Sequence, residues 1–399
     1  MTDEIGRREF LKRGGVAGVI ATTGLPIAGV IARTPGVNAN GSNPGGVTMP
    51  APDPALAARR MDSKEFCLSE YDAIQPASAF TATSASAAKR WRDRARKKLV
   101  DRLGGFPSTK APLNAEVLET RDFGSYTREK IAFDTRHNLS TVGYLLLPKG
   151  GARPLPAVVV FSGHGRGLPD ILGLDDEGNP RAERNVGYAK EYALQCAEHG
   201  YATFAVEQLA FGTRRDDAAR KAGPAVESCR PAATTATLLG QTMAGWRVWD
   251  AMRAIDYLET RPEVDAKRIA TLGASGGGTT SLFTGALDPR VKVTVVSAYF
   301  NTFRDSIVSI SHCPDNYVPG LAHDMEMSDV ASLVAPRALF VESGRRDPIF
   351  PIAGSERAAA ATRRAFEVLD VAPQFGYAVH EGAHEFNGVE AFAFLNRAL

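Results

Sequence analysis

One serine in this chain of 399 residues lies in a motif that activates serine hydroxyls. Gly273-Ala274-Ser275-Gly276-Gly277 is the only G-x-S-x-G segment in the sequence. An apolar run precedes it, and residues 279–287 are compatible with a helix. A strand that turns directly into a helix bends tightly, and flanking glycines leave room for the bend. We therefore expect Ser275 at the carboxyl end of a sheet, beside a helix N-terminus that favours developing negative charge.

A serine nucleophile needs a base, most often a histidine that a carboxylate orients. In a strand–turn–helix context the order along the chain is serine, acid, histidine. Asp347 follows the apolar run 338–341, and His384 follows a second predicted strand near residues 374–380. Because the carboxyl ends of parallel strands meet at one edge of a sheet, we expect Ser275, Asp347 and His384 to meet there.

Other residues compete for these roles. The bases His312 and His323 precede the acid and so have the wrong order, whereas His380 lies nearer the strand body. Among the acids, Glu342 lies inside an apolar run and Asp370 precedes a short loop. Any one histidine or acid taken alone can be a packing or surface residue, but the joint placement of Asp347 and His384 favours catalysis. The glycine motif itself can be a plain turn, although it matches neither the P-loop pattern nor the dinucleotide pattern.

The oxyanion of an acyl-transfer intermediate needs two backbone donors. The N–H of Gly276, which follows the serine, is one. The segment Phe-Ser-Gly-His-Gly-Arg-Gly at 161–167 follows an earlier apolar run, so the N–H of His164 is predicted as the second donor, with Gly165 as the alternative.

A substrate wall is predicted from residues 299–320, a segment rich in aromatic side chains. Tyr299, His312 and Tyr317 are its proposed contacts, and core packing explains its aromatic residues equally well. Arg166 is added as a partner for a substrate carboxylate, against the alternative that it is simply solvated at the surface.

The elements that must position these residues alternate between strands and helices. Short runs that are apolar throughout are typical of parallel strands covered on both faces, and they lie at 157–161, 202–206, 269–272, 293–296 and 338–341. Helical stretches between them imply a parallel sheet with right-handed crossovers. Residues 126–136 and 140–147 are predicted as two further strands, and residues 84–103 as a charged helix that ends at glycines.

The first residues resemble a twin-arginine export signal. Arg7 and Arg8 precede an uncharged stretch from Gly14 to Ala32. Residues 30–32 and 37–39 both fit the small-x-small cleavage pattern, and cleavage after Ala39 is adopted here. A membrane anchor is the alternative, but the glycines and threonines make this stretch a poor span. We therefore predict a signal peptide at 1–39, and export to the periplasm or beyond by the twin-arginine machinery. A flexible leader and helical extension follow at 40–125, and a catalytic domain at 126–399.

Composition excludes several function classes. Lys and Arg number 47 against 45 Asp and Glu, a net charge of +2, so binding of nucleic acid through a large basic surplus is not expected. The four cysteines, Cys67, Cys196, Cys229 and Cys313, are too widely spaced for a metal-binding pair. Export to an oxidising compartment permits a disulfide, which we hypothesise between Cys229 and Cys313.

Residues 126–399 resemble an α/β-hydrolase, nearest to the bacterial dienelactone-hydrolase-like and acetylxylan-esterase-like branch. The segments that carry the resemblance are 161–167, 273–278, 312–320, 335–339, 347–351 and 382–385. The resemblance implies a mostly parallel sheet with helices on both faces, no metal or organic cofactor, and an ester substrate that is a small molecule or a carbohydrate. This chain has Ser162 where the branch has His before Gly163-His164.

The expected activity is hydrolysis of carboxylic esters through a Ser-His-Asp triad and an acyl-enzyme. A serine peptidase of the prolyl-oligopeptidase type shares the triad order, but residues 40–125 are too few for several propeller blades of about 40 residues each. A non-catalytic binding protein on the same fold is a second alternative, and a nucleotide-dependent oxidoreductase a third.

Overall fold

The computed structural model describes residues 59–399. The predicted signal peptide at 1–39 and residues 40–58 of the predicted leader therefore lie outside the described residues. Its centre is a nine-stranded sheet with the spatial order β1-β2-β3-β5-β4-β6-β7-β8-β9. The strands are β1 (Glu116–Asp122), β2 (Tyr126–Arg136), β3 (Leu139–Pro148), β4 (Leu155–Phe161), β5 (Ala202–Val206), β6 (Val264–Ala274), β7 (Val291–Ser297), β8 (Ala338–Gly344) and β9 (Phe375–His380).

Eleven α-helices occur in the described part of the chain. They are α1 (Ser63–Asp72), α2 (Ala85–Arg102), α3 (Leu168–Leu172), α4 (Tyr192–Glu198), α5 (Asp217–Ala222), α6 (Cys229–Leu238), α7 (Met243–Leu258), α8 (Gly276–Leu287), α9 (Met327–Ser332), α10 (Ile352–Val368) and α11 (Val389–Ala398).

The sheet is mixed but mostly parallel. β1, β2, β3 and β5 pair in antiparallel fashion. From β5 through β4 to β9 all neighbours are parallel. Every predicted apolar run forms a strand, which confirms the predicted fold class. β1 was not predicted, because this edge strand is exposed along most of its length and carries no apolar pattern.

Both faces of the sheet are covered, as the uniformly apolar strands require. In β4, Val158 and Val160 belong to the apolar cluster that contains α3, α4 and α11. Ala157 and Val159 belong to the cluster on the other face, which contains α7. This alternation follows from the two-residue period of a strand, and it explains why a run with no polar residue is buried throughout.

Helix α2 lies on the face that carries α8 and α10. The Ser84 hydroxyl caps it by accepting a hydrogen bond from the N–H of Ala87 at 3.3 Å. Trp91, Ala95 and Leu99 are spaced to share one side of the helix, and they lie in the same apolar cluster as Phe283 of α8. The predicted N-terminal extension thus contributes α1, α2 and β1 to the described structure.

None of the helices in residues 59–399 combines the length and the apolar character that a membrane span needs.

Candidate active site

Ser275 lies in a strained turn between β6 and α8. Its backbone angles are φ 56° and ψ −125°, a conformation that L-residues rarely adopt. The Ser275 N–H donates to the carbonyl of Ser297 at 3.0 Å, and its own carbonyl accepts from Thr279 at 3.1 Å. Its side chain makes no capping hydrogen bond to α8, which leaves the hydroxyl available at the carboxyl end of the sheet.

The glycines around Ser275 are required by close approaches of the backbone. A β-carbon at position 273 would collide with the carbonyl of Gly277, and one at position 277 would collide with the carbonyl of Phe161. The helix therefore begins directly at Gly276 rather than at the predicted residue 279, since the glycines pack against β4 instead of forming a loop.

Asp347 and His384 are paired as the sequence analysis expected. The Nδ1 of His384 lies 2.8 Å from the Oδ2 of Asp347. The other carboxylate oxygen accepts from the backbone N–H groups of Ile349 at 2.8 Å and Phe350 at 3.1 Å. The Asp347 side chain is only 1% exposed, so its orientation is fixed by this loop.

The imidazole of His384 stacks against two aromatic rings. Tyr188 stacks on it with ring centroids 5.9 Å apart, and Phe350 stacks at 5.7 Å. Ser275 and His384 line the same cavity of about 370 Å³. Ser275 and His384 therefore line one cavity at the carboxyl edge of the sheet, and Asp347 lies beside His384 without lining the cavity. The residues that line this cavity are His164, Tyr188, Ser275, Ile310, Ser311, His312, Cys313, Ile349 and His384.

The loop that follows β4 lies against Ser275. A β-carbon at Gly163 would stand 3.0 Å from the β-carbon of Ser275. Gln208 bridges this loop to α8, because its amide nitrogen donates to the carbonyl of Ser162 and its oxygen accepts from Thr280. The predicted oxyanion donors at His164 and Gly276 thus belong to segments that are held next to the serine.

Of the four predicted substrate contacts, only His312 lines this cavity. Arg166 lines a different cavity, where it pairs with Asp170 and Asp176. Tyr299 is buried beneath the site and packs against Phe350. Tyr317 lies in a third cavity, and its hydroxyl donates to the carbonyl of Ile307 at 2.7 Å. Each of these three residues makes its contacts outside the cavity that Ser275 lines.

His312 presents one ring nitrogen without a partner. Its Nδ1 accepts from the backbone N–H of Cys313 at 3.0 Å. Its Nε2 is buried and has no hydrogen-bond partner among the described residues. Burial lowers the pKa of His312 to about 4. A neutral ring that accepts at Nδ1 carries its proton on Nε2, so this group is a free hydrogen-bond donor.

The alternative base His380 and the alternative acid Glu342 make other contacts. The Nδ1 of His380 accepts from the N–H of Gly382 at 3.1 Å. Glu342 is buried and accepts from the hydroxyl of Ser297 at 2.7 Å and the N–H of Asn387 at 2.8 Å. Burial raises the pKa of Glu342 above its usual value. Neither residue lines the cavity around Ser275.

Sequence analysis did not identify Tyr188 as a residue of the site. Tyr188 lines the cavity from a segment of irregular structure, where no periodicity or motif distinguishes it.

The cysteines in the described part of the chain are all free, so the hypothesised disulfide between Cys229 and Cys313 is absent from the structure. The Cys229 sulfur instead has polar neighbours in His164, at 3.8 Å, and Asp315, at 3.7 Å.

Comparison with known proteins gives the family. The family model described as Abhydrolase family matches residues 57–368, which is most of the chain. The YtaP protein of Bacillus subtilis strain 168, which bears a hydrolase name, is 27% identical over 268 residues, covering 66% of this chain and 83% of that protein.

Solved structures show the same fold at low sequence identity. A Bacteroides fragilis protein described as an acetyl xylan esterase superimposes with a TM-score of 0.67 at 17% identity, over 81% of this chain and 83% of that one. A glucuronoyl esterase from Solibacter usitatus gives a TM-score of 0.59 at 18% identity, over 82% and 98%. The family match over most of the chain, together with the mostly parallel sheet, shows that this protein belongs to the Abhydrolase family and has the α/β-hydrolase fold.

Proposed function

We propose that this protein is a serine esterase that hydrolyses carboxylic esters through Ser275, His384 and Asp347. The observation that carries the proposal is a serine in a strained strand–helix turn that shares a cavity with a histidine paired to a buried aspartate. A turn that serves only to connect two elements does not need this strain. Backbone strain of this kind costs about 1–3 kcal/mol and persists where a functional group must be held in place.

The reaction begins when the Ser275 hydroxyl attacks the ester carbonyl and His384 takes its proton. Asp347 orients the imidazole and stabilises its charged form, because the carboxylate lies 2.8 Å from Nδ1. The tetrahedral intermediate then expels the alcohol, which receives the proton from His384. Water enters, gives a proton to His384 and attacks the acyl-enzyme. The Ser275 oxygen then leaves with the proton from His384, which releases the acid and restores both residues.

The oxyanion is stabilised by backbone N–H groups of Gly276 and His164. Gly276 is the first residue of α8, and the first N–H groups of a helix have no acceptor within it. The helix dipole adds to this stabilisation at the same point. The loop that contains His164 supplies the second donor. Gln208 holds this loop by donating to the carbonyl of Ser162.

The substrate class that we propose is an ester of a carbohydrate or of a similar hydroxylated compound. The support is the likeness in fold to proteins described as acetyl xylan and glucuronoyl esterases. The cavity is lined by His164, His312, Tyr188 and Ser311 beside two isoleucines, which suits a substrate rich in hydroxyl groups. We assign the unpartnered Nε2–H of His312 as a donor to such a hydroxyl or to the ester, and because this atom is buried in the structure, the ring must turn toward the cavity to make that hydrogen bond.

We also propose that residues 1–39 direct export through the twin-arginine pathway. The support is the sequence pattern alone, with Arg7 and Arg8 ahead of an uncharged stretch. Replacing both arginines with lysine is expected to leave the protein in the cytoplasm, as measured by cell fractionation. Export of that variant at the rate of the native protein would contradict the proposal.

Replacement of Ser275 by alanine tests the enzymatic proposal. Loss of the nucleophile is expected to lower kcat by on the order of 10⁶-fold, measured with short acyl esters, acetylated xylan and methyl uronates. Peptide substrates assayed in parallel separate an esterase from a peptidase. Ser69→Ala is the matched control, because Ser69 is exposed on α1 and does not line the cavity. Near-native ester hydrolysis by Ser275→Ala would falsify the assignment.

A further inference from the structure

Four side chains that can bind a metal ion converge beneath the wall of the cavity. His164 follows β4, Cys229 begins α6, and Cys313 and Asp315 lie in the segment between β7 and α9. One ligand atom from each lies within 4.8 Å of every other. The spacing along the sequence gave no sign of this, because the residues come from three distant segments.

The separations of these atoms fit a tetrahedral ion. The Nε2 of His164 lies 3.8 Å from the Cys229 sulfur and 3.7 Å from an oxygen of Asp315. The Cys229 sulfur lies 3.7 Å from that same oxygen. An ion bound tetrahedrally at about 2.0–2.3 Å from its ligands places those ligands about 3.3–3.8 Å apart. The three atoms therefore already stand at the edge lengths of a zinc tetrahedron.

The surrounding charges suit a divalent cation held by two thiolates and a carboxylate. Those ligands and the ion together leave one negative charge. The guanidinium of Arg247 balances it, because this buried side chain donates to the Asp315 oxygen at 2.5 Å and to the Cys229 sulfur at 3.1 Å. Asn316 donates to the other oxygen of Asp315 at 2.8 Å. Such outer hydrogen bonds orient metal ligands in known sites.

The cluster has an open side through which an ion can enter. His164 and Cys313 line the cavity that also holds Ser275, whereas Cys229 and Asp315 are buried behind them. Two sulfur ligands with an imidazole and a carboxylate favour zinc over magnesium or calcium, which prefer oxygen ligands. Four protein ligands leave no position for water or substrate, so the ion would be structural.

We propose that His164, Cys229, Cys313 and Asp315 bind one Zn²⁺ ion that joins the loop after β4 to α6 and to the segment before α9. The ion replaces the protons of the two thiols. It also fixes the His164 ring, whose Nδ1 would lie 3.4 Å from a β-carbon at Gly276. The metal thereby holds the proposed oxyanion loop in place, although its binding does not depend on the reaction at Ser275.

Metal analysis of the full-length chain tests this proposal without reference to activity. The protein is produced in zinc-supplemented medium, purified under reducing conditions, and analysed for bound metal and free thiols. We expect one zinc per chain, protected from thiol reagents at Cys229 and Cys313. Absence of zinc above the buffer level overturns the proposal. The proposal is also overturned if protein purified without reductant shows a Cys229–Cys313 disulfide by peptide mass and the same protein takes up no zinc after reduction.

Cobalt substitution identifies the ligands. Co²⁺ added to zinc-free protein is expected to produce a thiolate-to-cobalt charge-transfer absorption, which Cys313→Ser weakens and Cys229→Ser also weakens. Cys67→Ser is the matched control, because Cys67 is exposed on α1 outside the cluster, and it should keep the full signal. If a variant fails to fold, the spectrum of the native protein is the deciding measurement. A native spectrum without sulfur-to-cobalt absorption contradicts the site.

Discussion

The imidazole of His384 is held by three neighbours. Asp347 binds its Nδ1, and the rings of Tyr188 and Phe350 both stack against it. A ring restrained in this way has little freedom to turn its other nitrogen away from the cavity. Preorganisation of the base is the contribution that we expect from these neighbours, since catalytic groups must be positioned before the reaction begins.

Asp347→Asn isolates the orienting role of the aspartate. The amide oxygen can still accept from Ile349 and Phe350, so the loop should keep its shape. The charge proposed to stabilise the imidazolium is lost, and kcat for ester hydrolysis is expected to fall by about 10⁴-fold, as in Ser-His-Asp enzymes. Steady-state kinetics measure the fall, and circular dichroism checks the fold. A variant that retains native kcat would show that Asp347 is not the acid.

His312→Asn tests substrate binding by the free Nε2–H. Asparagine keeps an acceptor near the position of Nδ1 but has no atom at Nε2. Loss of one hydrogen bond worth about 1–1.5 kcal/mol should raise KM about 5- to 13-fold with little change in kcat. Tyr317→Phe is the control, since the Tyr317 hydroxyl lies in another cavity and should not affect KM. The opposite pattern would restore Tyr317 as the substrate contact.

The individual site residues differ in how far the sequence could predict them. The order of serine, acid and histidine, each after a strand, sufficed to select Ser275, Asp347 and His384 for one site. The same reasoning did not foresee the partners of Arg166, because it could not show that Asp170 and Asp176 would bind that side chain. Tyr188 was missed because nothing local distinguishes a tyrosine in an irregular segment that reaches the cavity only in the folded chain.

At the level of elements, the site depends on loops that follow β4, β6, β8 and β9. Buried polar groups hold several of these loops. Glu207, just after β5, accepts from the backbone N–H of Leu168 at 3.2 Å and of Thr213 at 3.4 Å. It thereby links α3 to the loop after β5. Complete burial raises the pKa of Glu207 to about 7.

This shift predicts a pH dependence of stability. Between pH 4.5, the ordinary pKa of glutamate, and about 7, the folded protein keeps a proton that the unfolded chain has lost. Stability therefore falls as pH rises through this window, by roughly 3 kcal/mol for a shift of this size. The Glu207→Gln variant lacks the titrating group. As pH rises, the free energy of unfolding of this variant should therefore fall less than that of the native protein. Parallel denaturant titrations at several pH values measure this, and identical pH profiles would contradict the shift.

The strands could be predicted because parallel strands buried on both faces are apolar at every position. The edge strand β1 could not, since exposure on both sides removes that signal. The start of α8 was placed too late because three consecutive glycines suggest a loop. Here close packing against the carbonyl of Phe161 requires glycine inside a helix, and tertiary contacts override the local preference.

For the whole molecule, helix α2 is part of the main apolar core rather than an attachment to it. Besides its apolar side, Arg96 donates to the carbonyls of Ala286 at the end of α8, at 3.0 Å, and Leu333 after α9, at 2.9 Å. The position of this helix before the first strand gave no indication of which elements it would cover. The face that it covers carries α8, the helix that begins beside Ser275.

Leu99→Ala measures how much this helix contributes to stability. Leu99 is fully buried, and truncation in a packed core costs about 2–5 kcal/mol. The free energy of unfolding should therefore fall by that amount for the whole protein in one transition. Lys97→Ala, at an exposed position of the same helix, should change it by less than about 0.5 kcal/mol. If instead α2 of the Leu99→Ala variant unfolded in a separate, earlier unfolding transition, while the rest of the protein unfolded as in the native protein, α2 would be an independent extension.

Covalent labelling with a fluorophosphonate, followed by peptide mapping, decides whether Ser275 is the nucleophile. This reagent reacts with serines that a neighbouring base activates, and the geometry around His384 predicts a single adduct on Ser275 together with complete loss of ester hydrolysis. His384→Ala should abolish the labelling while Ser275 remains present. An adduct on a different serine, or hydrolysis that persists after full modification of Ser275, would contradict the catalytic assignment.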